Sequence, residues 1–195
     1  WDTFLTKYLL YLIVLFFLCS CGSKPHGDVA VSDLAPKLEP DYSEVTIPPN
    51  IAPLNFIIKE NGSAFFVKFS SVTGTEIEVY SRTGKIQIPE NRWRKMLQNN
   101  TGKEFKIDIF SKDELGQWLK FKTVTNKVAP EPIDPYLYYR LLYPGYESWA
   151  ELSINRRNLE NFKAQSLIEN SVVDENCVNC HSFNNGKTDD FLFHI

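Results

Sequence analysis

The chain has 195 residues, 43% of them hydrophobic and 14% aromatic, enough for one substantial core and part of a second. Its net charge of -3 is mild and no basic run occurs, which excludes the electrostatic footprint of a nucleic-acid partner. Residue 1 is Trp and the last residues, "FLFHI", are an apolar run, so the chain is expected to be a fragment of a longer reading frame.

An addressing signal comes first. Lys7 precedes the apolar run "YLLYLIVLFFLC", residues 8 to 19. Twelve residues are too few to span a bilayer, which takes about 20. They suit the apolar region of a secretory signal. "LCSC" follows, Leu18 to Cys21, and resembles a bacterial lipobox. The resemblance implies cleavage after residue 20 and lipidation of Cys21. The alternative is a plain buried helix with incidental cysteines. An exported, lipid-anchored protein on a bacterial membrane, facing the periplasm or outer membrane, would keep only two free thiols, Cys177 and Cys180, in an oxidising compartment.

Residues 21 to 53 hold six of the 11 prolines and read as an extended, weakly ordered tether, in which His26 is solvated. From residue 54 to 128 the pattern turns to period two. "TEIEVYS" alternates Ile77 and Val79 with Glu76 and Glu78, "RTG" reads as a turn, and "KIQIP" returns, so a hairpin is expected there. "EFKIDIF" and "WLKFKTVT" read as further strands, and "ENRWRKMLQ" as a short helix ending near Asn100 or Gly102, with Met96 packing inward. The expectation is a mainly β protein: a small antiparallel β-sandwich without any catalytic cluster, a spacer or binding module.

"APEPIDP" marks a boundary, and residues 132 to 195 form the last segment. Tyr136, Tyr138, Tyr139, Tyr143, Tyr146 and Trp149 crowd its start. They read as core or interface aromatics, with a sugar-stacking platform as the alternative. "ELSINRRNLENFKAQSLIEN" resembles one hairpin of a TolB-like β-propeller blade, a strand, a basic-polar turn and a second strand, and the resemblance implies further blades, since one blade cannot bury its faces alone.

The chemistry-bearing motif is "ENCVNCHSF", in which Cys177 and Cys180 are spaced Cys-x-x-Cys and His181 follows at once. This is the pattern of covalent heme c attachment. Each thiol would add to one heme vinyl group, reached from a single helical turn, and His181 would be the proximal iron ligand. Three rivals remain. A Cys177–Cys180 disulfide explains the thiols and leaves His181 unexplained. Zinc wants four ligands, and only His194 lies near enough in sequence to help. The third is coincidence. For the distal side of the iron, His194 in "FLFHI" is one candidate and a residue beyond Ile195 another.

"YRLLYPGYESW", "RRNLENF", "ENCVNCHSF" and "FLFHI", in that order behind the lipobox, resemble a family of bacterial lipoproteins that join a c-type heme motif to TolB-like propeller repeats. The resemblance covers residues 130 to 195 well and the sandwich only loosely. It implies heme attachment at Cys177 and Cys180, ligation by His181 and no particular reaction. The implied role is that of an electron carrier or heme-bearing subunit serving redox protein partners, tethered to a membrane. The alternative is a non-redox lipoprotein that recognises a peptide or glycan and is stapled by Cys177–Cys180. Small cytochromes c place the motif early, whereas here 176 residues precede it.

Overall fold

Strand β8 (Glu104–Lys112) is the axis of the molecule. In the computed structural model, which describes residues 24–142, 152–173, 179–183 and 191–194, it pairs along one side with β5 (Ala64–Ser71) over eight residue pairs. Along its other side it pairs first with β10 (Val124–Val128) and then with β9 (Trp118–Lys120). The alternation in its sequence explains the choice: Phe105, Ile107 and Ile109 all fall on one face and are buried. The chain is mainly β, as expected.

A seven-stranded sheet grows outward from this axis. β6 (Glu76–Ser81) pairs with β5, while β1 (Ala30–Val31) and β3 (Thr46–Ile47) join at the far side, parallel to β9 and β10 respectively. The sheet is therefore mixed, where a wholly antiparallel one was expected. Its parallel strands come from the proline-rich segment. That segment is not a loose tether from residue 28 onward. It supplies β1, β3 and β2 (Leu38–Glu39), and Ile47 reaches the core at 5% exposure. Prolines forbid a central strand yet tolerate short edge pairings, which is how this stretch is used. Buried Asn126 secures it: its side-chain oxygen accepts from the Val45 amide at 3.2 Å and its Nδ2 donates to the Tyr42 carbonyl at 2.8 Å.

A second sheet lies across the first. It has three strands in the order β2, β4 (Phe56–Ile58) and β7 (Lys85–Ile86). Phe56, Ile58 and Ile86 meet Phe65, Val67, Phe69 and the inward face of β8 in one core. Helix α1 (Glu90–Asn99) closes that core with Trp93, Met96 and Leu97, the i, i+3, i+4 set of an amphipathic helix. Trp93 stands edge-on to both Phe69 and Phe105, with centroids 6.1 and 6.0 Å away, and its indole N–H donates to the Ile51 carbonyl.

The hairpin expected at Arg82–Gly84 is formed one turn earlier. β6 turns back from β5 through Thr73 and Gly74 (φ 79°), and β7 leaves β6 to pair with β4 in the other sheet. Arg82–Gly84 is thus a corner between sheets. Ile86 and Ile88 gain more by filling the core beside Phe56 than by extending an exposed ladder. The run "WLKFKTVT" likewise divides into β9 and β10, with Phe121 buried at the break.

The last segment builds a three-stranded antiparallel sheet from β11 (Tyr136–Leu141), β12 (Ser153–Asn158) and β13 (Ala164–Glu169). The expected β12–β13 hairpin is present, with a bulge at Ile154–Asn155. No propeller closes among the described residues. Leu159 docks this sheet on the sandwich: its N–H donates to the Pro135 carbonyl and its carbonyl accepts from the Ala52 N–H. Asn50 adds hydrogen bonds to the Ile133 backbone and the Glu160 carboxylate. Among the described residues, no helix is long and apolar enough to cross a membrane.

Two predictions follow from these contacts. Gly84 has φ 76°, and a Cβ there would meet the Ile58 carbonyl oxygen at 2.7 Å. Gly84→Ala should therefore destabilise the protein by more than about 1 kcal/mol, measured by urea unfolding. Asp108 is half-buried, its Oδ1 held by Lys120 Nζ at 2.8 Å and by the Thr123 hydroxyl at 2.6 Å. Burial pushes this carboxyl up, but the hydrogen bonds from Lys120 and Thr123 outweigh it and hold its pKa below the ordinary value. Its contribution is present above the unfolded pKa, about 3.9, and is lost as pH falls through the lower folded value. Asp108→Asn should cost about 1 kcal/mol near neutrality and flatten the loss of stability on acidification, read from urea midpoints against pH.

Candidate functional site

The motif residues fall on a two-stranded antiparallel hairpin, β14 (Asn179–Phe183) and β15 (Phe191–His194). Phe and Leu in "FLFH" favour strand, and opposite them "NCHSF" supplies a ladder of five residues. Cys180 and His181 thus lie on extended backbone, where a helical turn was expected. Cys177 lies outside the described residues, as do Cys19 and Cys21 of the expected lipidation signal and Tyr143, Tyr146 and Trp149 of the aromatic cluster.

Register places the remaining candidates. Asn179 faces His194, His181 faces Phe193, Ser182 faces Leu192 and Phe183 faces Phe191. Two steps along β14 match one step along β15 between Asn179 and His181, so Cys180 is the extra residue of a β-bulge. Bulges break the two-residue alternation of a strand and recur beside functional sites. The hairpin brings Cys180, His181 and His194 to one end of a single small sheet. Sequence separation alone, 13 residues from His181 to His194, did not require that.

The same register bears on the distal role for His194. A heme iron that bound both His181 and His194 would sit between the two imidazoles, with the macrocycle separating their strands. Their backbones then stand farther apart than neighbouring strands, which run about 4.8 Å apart. A heme cannot enter between strands that share hydrogen bonds. His194, one position from the residue paired with His181, is therefore badly placed to be the sixth ligand to an iron held by His181. The donor set of Cys177, Cys180 and His181 otherwise has the chemistry that heme c attachment needs: two thiols and an imidazole immediately after the second.

Elsewhere the polar clusters have structural explanations. Lys68–Glu76 and Lys120–Asp108 bridge neighbouring strands, and Glu90–Arg94 spans one helical turn. Among the described residues, no group of three or more His, Cys, Asp or Glu side chains could hold a metal ion.

One surface escaped the sequence reading. Tyr136, Asn158 and Lys163 line a groove of about 390 Å³ together with Arg156, Ala164 and Gln165. The Arg156 guanidinium lies over the Tyr136 ring, 4.5 Å from its centroid, and donates to Gln165 Oε1 at 3.0 Å. Its signal was the alternation of tyrosines at 136 and 138 against basic residues on the next strand, visible only once register paired them. Tyr136 is half-buried, in keeping with a packed aromatic on one side and a usable ring on the other. No protein-family model and no curated protein matches the chain.

In heme-loaded protein, His194→Ala should leave the spin state of the iron unchanged, as read by visible absorption of the oxidised form. Conversion from low to high spin would show that the hairpin opens to let His194 reach the iron.

Proposed function

We propose that this chain is a lipid-anchored, extracytoplasmic c-type heme protein that passes single electrons between partners near a bacterial membrane. The observation that carries the reading is the contiguous Cys177-x-x-Cys180-His181 in a chain that opens with a basic residue, a short apolar run and Leu18-x-Ser20-Cys21. Heme c is attached outside the cytoplasm, so export and motif agree. Cys177 and Cys180 would hold the macrocycle by thioether bonds and His181 would hold the iron, which supplies one-electron redox chemistry when bound. The resemblance to lipoproteins with a heme motif and TolB-like repeats points the same way. In this reading the sandwich and the β11–β13 sheet position the heme segment, and the protein is a carrier or subunit rather than a self-contained enzyme.

A second reading is a non-redox binding lipoprotein. The groove at Arg156 and Tyr136 favours it, because it is a lined recess remote in sequence from the motif. The two readings differ in colour. Full-length protein matured with a heme-attachment system should gain the mass of one heme and show a Soret band that stays with the denatured polypeptide. Changing both Cys177 and Cys180 to Ala should abolish both. A colourless product with a Cys177–Cys180 disulfide, or one that carries stoichiometric zinc by elemental analysis, would overturn the heme assignment.

A further inference from the structure

We propose that the groove between β11, β12 and β13 is a binding site for a small polar ligand that carries a carboxylate or phosphate. The inference does not rest on heme attachment and goes beyond it.

Charge is the first support. Among the described residues of the lining, Arg156 and Lys163 are the ionisable cations and there is no carboxylate. Among the described residues, neither forms an ion pair, although the chain as a whole carries a net charge of -3. The nearest carboxylate in sequence, Glu160, is engaged by Asn50 Nδ2 at 2.9 Å. Two cations left without acidic partners in an acidic protein define a local anion site.

Preorganisation is the second. Arg156 is fixed from two directions, by the face of the Tyr136 ring and by Gln165 Oε1. Stacking uses the face of the guanidinium and leaves its in-plane N–H groups. One of the five goes to Gln165, so a fork remains for an oxyanion. The turn that carries Lys163 is locked as well. Asn158 Oδ1 accepts from the Glu160 and Asn161 amides, Asn161 Oδ1 accepts from the Lys163 amide at 2.8 Å, and the Asn158 N–H donates to the Lys163 carbonyl at 2.9 Å. The Arg156 side chain and the backbone at Lys163 are thus held in advance, so the ordering that binding still requires is that of the exposed Lys163 side chain.

Size is the third. A groove of about 390 Å³ lies at the low end of the range for small-molecule sites and suits a body of one or two sugar rings. The ligand class is therefore an acidic saccharide or a sugar phosphate, both of which offer one oxyanion to Arg156 and Lys163 and hydroxyls to Gln165.

Calorimetric titration of the full chain tests this with four probes: a glucuronate-containing disaccharide, its neutral counterpart, glucose 6-phosphate and inorganic phosphate. At least one of the two charged organic probes should bind at least tenfold more tightly than the neutral disaccharide, and whichever is tighter names the oxyanion. Arg156→Gln should weaken that binding at least tenfold and Lys163→Gln several-fold, while Arg82→Gln, at the corner between the sandwich sheets, should change nothing. Arg156→Lys keeps the charge and loses the fork, so it should also weaken binding, and circular dichroism of each variant separates this from misfolding. Equal binding of neutral and charged disaccharides, unchanged affinity in folded Arg156→Gln, or binding of inorganic phosphate only, as an adventitious ion, would overturn the proposal.

Discussion

The pairing of β8 with three other strands is the constraint on which the sandwich depends. β5 occupies one whole side of it, and the other side is divided between β10 and β9. Because β8 alternates strictly over Phe105, Ile107 and Ile109, a slip of one residue would turn its entire apolar set outward. Its neighbours inherit that register. Phe65, Val67 and Phe69 of β5 and Val124 of β10 can share the core only while β8 holds its place. Trp93 then completes the arrangement from α1, edge-on to one phenylalanine from each of the two long strands.

The other face of the same sheet is covered too, with less material. Ala64, Phe66 and Trp118 form a small cluster under Val29 and Phe110, and the cations of Lys112 and Lys120 lie over the Trp118 and Phe110 rings. This is why β5 is buried at four consecutive positions, Ala64 to Val67, where a one-sided strand would alternate. The proline-rich segment makes the second face possible. It runs across the sandwich, adds three short strands and carries Asn50 near its end, whose side chain reaches the β12–β13 turn. One stretch of chain thus joins the sandwich to the sheet that carries the Arg156 groove.

The motif hairpin and the groove are built on different elements and ask for different chemistry. β14 and β15 gather Cys180, His181 and His194 by register, with a bulge at the cysteine. The groove gathers Tyr136 from β11, Arg156 from β12 and Lys163 from the β12–β13 turn of another sheet. A protein that carries electrons and one that binds an acidic ligand need not be rivals. A heme-bearing subunit with a ligand groove on its positioning sheet would combine both surfaces in one chain.

Much of this was legible in the residues. Alternation located β6 and β8, and the stop signals at Asn100 and Gly102 located α1, because periodicity and helix ends follow directly from local backbone geometry. The Cys-x-x-Cys-His spacing and the lipobox were equally local, and they carry the functional proposal. What only tertiary structure decided is which segments pair. Nothing within "KIQIP" says that it leaves β6 for a second sheet, since that choice rests on the core filled by Phe56 and Ile86. Prolines at 36, 40, 48 and 49 argue against strands locally, yet edge positions and the hydrogen bonds that Asn126 accepts from Val45 and donates to Tyr42 overrule them. Arg156 meets Tyr136, and His194 comes level with Asn179, through the register of paired strands. Periodicity assigns each residue to a face of its own strand; which strand lies alongside depends on the free energy of the whole core.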